Sequence, residues 1–140
     1  MAKFLAQDCY IEIDGHDMSN WCFAVATPSE RERVDMSGFN PLGAKEFAAG
    51  DREDSIDLGI LQDFAAGGPH DILSDIYQNQ STVAVKVRPT SAAASATNPE
   101  YGGNGQLLAY TGLDAEKGQR SEIRVEIIPA DADGFVWAST

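Results

Sequence analysis

The chain has 140 residues, 43% of them apolar, and its 22 Asp and Glu against 10 Lys and Arg give a net charge of −12. One domain of this size folds without disulfides or metal, and acids spread from Asp8 to Asp133 argue against a phosphate-backbone binder, whose footprint is a basic patch. No apolar run reaches membrane-spanning length, and the opening Met1–Asp8 lacks the apolar stretch of a secretory leader.

Along the chain, Cys9, Ile11 and Ile13 alternate with Tyr10, Glu12 and Asp14, which predicts a half-buried strand. Gly15-His16-Asp17 reads as a turn, and Trp21, Phe23 and Val25 form the next apolar face, so these two strands are expected to pair as a hairpin. Cys9 and Cys22 match no zinc spacing and read as buried free thiols, with a disulfide between neighbouring strands as the alternative. Residues 29–35 are almost wholly charged and form either a solvated strand or a loop. Met36–Gly50, rich in Gly, Pro and Ala, reads as a long loop, a length that in compact domains tends to be functional.

Ile56, Leu58 and Ile60 mark another strand. Gly68, Pro69 and Asp71 supply an N-cap, a first-turn proline and a first-turn acid. With Ile72, Leu73, Ile76 and Tyr77 at helical spacing they predict one amphipathic helix over 69–79. Val83, Val85 and Val87 form a strand ended by Pro89, and Pro89–Gly105 reads as a second long loop. Leu107 with Ala109, then Ile123, Val125 and Ile127, then 135–137 mark the remaining strands around a charged turn region at 112–121. Seven or eight strands, one helix and two loops predict a mainly β domain spanning 1–140, an antiparallel sandwich or barrel with one flanking helix.

Catalytic groups are sparse. His16 falls in a predicted turn and His70 in a first helical turn, where surface and capping roles are expected, and no nucleophile-elbow, zinc-protease or phosphate-loop motif occurs. Gly102-Gly103-Asn104-Gly105 lacks the Lys-Ser/Thr of a phosphate cradle and reads as a flexible loop end. Glu53, Asp54 and Asp57 lack the order of a calcium loop and read as a solvated acidic face. Arg31 with Arg33, and Lys86 with Arg88, are too sparse for a nucleic-acid surface, and Trp21 and Trp137 are expected in the core. No catalytic residue, cofactor or metal is predicted.

Several stretches resemble the major tail-tube protein of long, non-contractile-tailed phages, especially those of actinobacteria. The opening Met1–Leu5 with "IDGHDMSNW", the block "GAKEFAAGDREDSIDLGILQDFAAG", "VAVKVRPTSAAASATNPEY" and "GQLLAYTGLDAEKGQRSEIRVEI" follow the family's order over most of the chain. The charge run at 30–35 departs from the mixed residues usual there. The resemblance implies a β-sandwich with a flanking helix, six subunits per ring, and rings stacked into a hollow tube. Four strands per subunit would join one inner barrel through which DNA passes. The loop at 36–50 would reach the next ring through Met36, Phe39, Leu42 and Phe47. The expected partners are further copies of itself, a tape measure protein, a tail terminator and a distal tail protein, without a membrane or cofactor. The expected location is the virion tail, assembled in the host cytoplasm.

The residues support this on three counts. Free strand edges would pair on ring closure, the loop's apolar residues would serve as contacts between rings, and acids would repel passing DNA. From alternation, the lumen wall is expected to carry Glu30, Glu32, Asp51, Glu53, Ser55 and Asp57, with Arg31 and Arg33 turned away or pairing across subunit seams. The alternatives are another virion component (tail terminator, head–tail joining or capsid decoration protein) or a β-sandwich sugar- or calcium-binding module. An enzyme ranks last.

Overall fold

The alternating segments become strands in a computed structural model, which describes residues 3–39 and 42–139. The strands are β1 (Tyr10–Ile13), β2 (His16–Asp17), β3 (Cys22–Ala26), β4 (Ser29–Asp35), β5 (Phe47–Asp54), β6 (Ile56–Leu61), β7 (Val83–Arg88), β8 (Glu100–Tyr110), β9 (Glu122–Pro129) and β10 (Val136–Ala138). The helix α1 (Pro69–Asn79) lies between β6 and β7. The strand count exceeds the expected seven or eight because two long strands are each interrupted, one at residues 27–28 and one at Ser55, and because β2 is only two residues long.

The main sheet is antiparallel, in the order β2-β1-β7-β8-β9-β6-β3, with β10 added to β8, while β4 and β5 form a separate two-stranded sheet. Alternation sets its buried face: Ile11 and Ile13, Ile56, Leu58 and Ile60, Val83, Val85 and Val87, and Ile123, Val125 and Ile127 form one core with Met18 and Phe135. Each such side chain removed from water stabilises the fold by about 2 kcal/mol. The sheet coils, so that segments at its two ends, among them Cys9, Ile11, Cys22 and Val25, line one cleft of about 340 Å³. Helix α1 packs on β8, burying Pro69, Leu73 and Ile76. It begins after the extended Gly68 and ends at Gln80, whose φ of 52° is left-handed.

Several expectations are corrected. β1 does not pair with β3. A turn at Asp14 and Gly15, both with positive φ, leads into β2, which pairs with β1 for two residues. Met18 then plunges fully buried into the core and carries the chain across to β3, which pairs with β6. The loop expected over 89–105 ends at residue 99. Asn98 organises it by accepting from the Thr90 amide (3.0 Å) and donating to the Ala92 carbonyl (2.8 Å). Gly102-Gly103-Asn104-Gly105 is strand, not loop end. A Cβ at Gly102 would collide with the Val85 carbonyl, and one at Gly105 would lie 2.8 Å from Ile127 Cγ2, so these glycines permit tight packing rather than flexibility. Trp137 is exposed and lies against Tyr101, with ring centroids 4.7 Å apart, while Trp21 packs on the core as expected.

Candidate functional site: the charged hairpin

The segment expected as a loop over 36–50 is the end of a β-ribbon. Its connection is described at 36–39 and 42–46, and Phe47–Gly50 belongs to β5 because the charged run 29–35 forms β4 and offers it a partner. The ribbon's residues are almost all exposed, and its two strands pack chiefly on each other.

Register fixes its faces. Glu30 pairs with Glu53 and Arg31 with Arg52, whereas Arg33 pairs with Ala49, so a bulge sets Gly50 and Asp51 opposite Glu32. A Cβ at Gly50 would press on Val34 (3.0 Å) and on the Glu32 side chain. Glu30, Glu32 and Glu53 therefore share one face, with Asp51 opposite Glu32 in the bulge. Arg31, Arg33 and Arg52 lie on the other face, where Arg31 donates to the Gly50 carbonyl and Arg33 sits 5.0 Å from the Phe47 ring centre. Directly opposed like charges, Glu30 with Glu53 and Arg31 with Arg52, each cost the ribbon a few tenths of a kcal/mol, on the order of 0.2–1.

The acidic face runs on into the main sheet. Ser55 and Asp57 are half-buried, and Asp57 pairs with Glu126 of β9, an acid that sequence reading left out of the set. Its signal was the alternation of Glu122, Arg124 and Glu126, but the strand opposite could not be read from the sequence. Asp54 departs from the solvated face expected for it: it is buried and turned away from Glu53. Burial pushes its carboxyl up. The Ser29 hydroxyl, the Phe135 amide and Arg52 outweigh that and hold it below the usual carboxylate value.

At the ribbon's end, Met36, Phe39 and Leu42 are exposed, and Phe47 is half-exposed beside Arg33. The connection closes through the Met36 amide to the Glu46 carbonyl (2.9 Å) and the Glu46 amide to Ser37 Oγ (2.8 Å). Hydrogen bonds from Ser37 lower the Asp35 carboxyl below its usual value.

The remaining candidates lie apart. His16 is exposed in β2, and His70 Nδ1 shares a hydrogen bond of 2.8 Å with the Tyr110 hydroxyl. Cys9 and Cys22 are free and half-buried, less enclosed than expected, and burial pushes the Cys22 thiol up to about 11. Lys86 pairs with Glu12 and Arg88 with Glu100, so that basic pair is neutralised. Among the described residues, no three His, Cys, Asp or Glu gather as a metal site.

No family model and no curated protein sequence matches the chain. Solved structures do. A chain from the virion of a native gene transfer agent particle matches with a TM-score of 0.72 at 14% identity, over 94% of this chain and 95% of that one. The SPP1 tail tube matches with a TM-score of 0.73 at 13% identity, over 99% of this chain and 80% of that one. This is the tail-tube fold. A chain of the anti-feeding prophage baseplate also matches, with a TM-score of 0.56 at 13% identity over 99% and 98% of the two chains. The expected mainly β architecture, with one helix among the described residues, is therefore shared with these virion and tail structures.

Proposed function

We propose that the chain is a structural subunit of a phage-type tail tube, assembling with copies of itself into stacked rings. The observation that carries this is the fold correspondence with the SPP1 tail tube over 99% of the chain. A tail structure of the gene transfer agent, solved with C6 symmetry, matches with a TM-score of 0.64, and we take six subunits per ring from it. The ribbon's apolar end supports an axial contact through Met36, Phe39, Leu42 and Phe47, since exposed apolar side chains gathered at one end of a charged ribbon gain free energy when a neighbour covers them. The face of Glu30, Glu32, Asp51, Glu53, Ser55 and Asp57 is proposed as lumen wall, where acids repel a passing DNA backbone. Its role is structural rather than catalytic, its place is the virion tail, and a tape measure protein, a tail terminator and a distal tail protein are its further partners.

Negative-stain microscopy of concentrated protein tests this. Open tubes about 10 nm across are expected from six domains of this size in a ring, and discrete rings that never stack would overturn it. The baseplate correspondence favours a second reading, a tail ring that does not polymerise. Single rings under all tested conditions would select it.

A further inference from the structure

Where the β4–β5 ribbon leaves the main sheet, a buried carboxylate gathers three segments of chain. The Asp54 side chain is 2% exposed. It accepts from Ser29 Oγ on β4 (2.6 Å), from Arg52 Nε on β5 (2.8 Å) and from the Phe135 amide in the turn before β10 (3.1 Å). Arg52 Nη2 donates onward to the carbonyls of Asp133 (3.1 Å) and Phe135 (3.2 Å). Phe135 is anchored in the core at 1% exposure, so the turn is a firm support. Gly134, with φ of 66°, lets that turn come close: a Cβ there would lie 2.6 Å from Asp54 Oδ2 and 2.7 Å from Arg52 Nη2.

Beyond this junction the ribbon has little else to hold it. An isolated two-stranded ribbon is marginal, so its direction depends on how its base is held. The eight residues of β5 make a lever of about 25 Å at about 3.3 Å per residue, so a small change of angle at Asp54 displaces the apolar end by several ångströms.

We propose that the Asp54–Arg52 pair, closed over by Gly134, is a positioning device that sets the ribbon's angle to the body, so that its apolar end meets a second copy of this chain in register. This rests on the tube reading, because it takes the ribbon's end as the contact between copies. Neither residue touches the partner. Both act through the strands they orient.

Pulsed electron paramagnetic resonance on the full chain tests it, with spin labels at Lys45→Cys near the ribbon's end and Gln78→Cys on α1, in a Cys9→Ala, Cys22→Ala background. The parent is expected to give one narrow distance distribution. Asp54→Asn and Gly134→Ala should broaden or shift it, and should raise the concentration needed for polymer at least tenfold. If Asp54→Asn does not fold, Gly134→Ala and Ser29→Ala carry the test. A role confined to local stability would lower the melting temperature yet leave the distribution narrow in the folded protein, and that result overturns the proposal. If the parent forms no polymer, the tube reading falls, and the distance measurement on the monomer still decides whether the junction sets the angle.

Discussion

Glu53 and Asp54 are adjacent carboxylates in opposite situations. Glu53 is exposed, whereas Asp54 is buried with three donors. Asp54→Ala removes a charged acceptor and strands those donors, so it should cost about 3 kcal/mol in urea denaturation. Glu53→Ala should stay within about 0.5 kcal/mol. The pH dependence follows from the direction of the Asp54 shift. Its folded value lies below the ordinary 3.8, so its contribution is full above that value and is lost as pH falls through the folded one. The stability gap between the wild type and Asp54→Asn should therefore be constant near neutrality and close only below about pH 4. A gap that closes at pH 6 would exclude the carboxylate as its source. Alternation does place Glu53 and Asp54 on opposite faces. It cannot disclose that Ser29 and Phe135, 25 and 81 residues away, converge on one of them, which is why the cluster reads as uniformly solvated.

At the scale of elements, what was legible followed from local rules. Helix α1 appears over 69–79 because Gly68, Pro69, Asp71 and the apolar stripe all agree. Its end holds an unrelieved strain: Gln80 caps it at φ 52° and ψ 39°, its amide bonding back to Ile76 and Tyr77. Gln80→Gly keeps those bonds and removes the Cβ penalty of about 1–2 kcal/mol, less glycine's entropy, so a gain of about 0.5–1 kcal/mol is expected in thermal melts. What was not legible depended on distant partners. β1 has its main partner in β7, some 70 residues on, and the strand glycines of β8 are chosen by the neighbours that approach them. The ribbon shows both cases. Its charged strand was ambiguous, and Phe47–Gly50 looked like loop until β4 was there to pair with it. Phe39 is fully exposed at its end. Phe39→Asp should therefore leave stability within about 0.5 kcal/mol while abolishing tubes in micrographs; tubes that still form would remove Phe39 from the axial contact.

For the whole molecule, the proposed assembly must bring together copies that each carry a net charge of −12. Like-charged copies repel over a Debye length, which shrinks from about 30 Å at 0.01 M salt to about 8 Å at 0.15 M. Apolar contacts such as Phe39 offers are not weakened by that screening, whereas ion pairs across a seam would be. The two driving forces therefore predict opposite salt responses. With apolar contacts dominant and charge opposing, the concentration needed for tubes should fall as NaCl rises from 0.01 to 0.15 M. It should fall less steeply in a Glu30→Gln, Glu53→Gln variant, where an opposed pair of acids is gone. Light scattering across that range reads both slopes. If dilute salt instead favours tubes, the contacts between copies are made by Arg31, Arg33 and other exposed cations meeting acids, and the acidic face belongs to the seams rather than to the lumen.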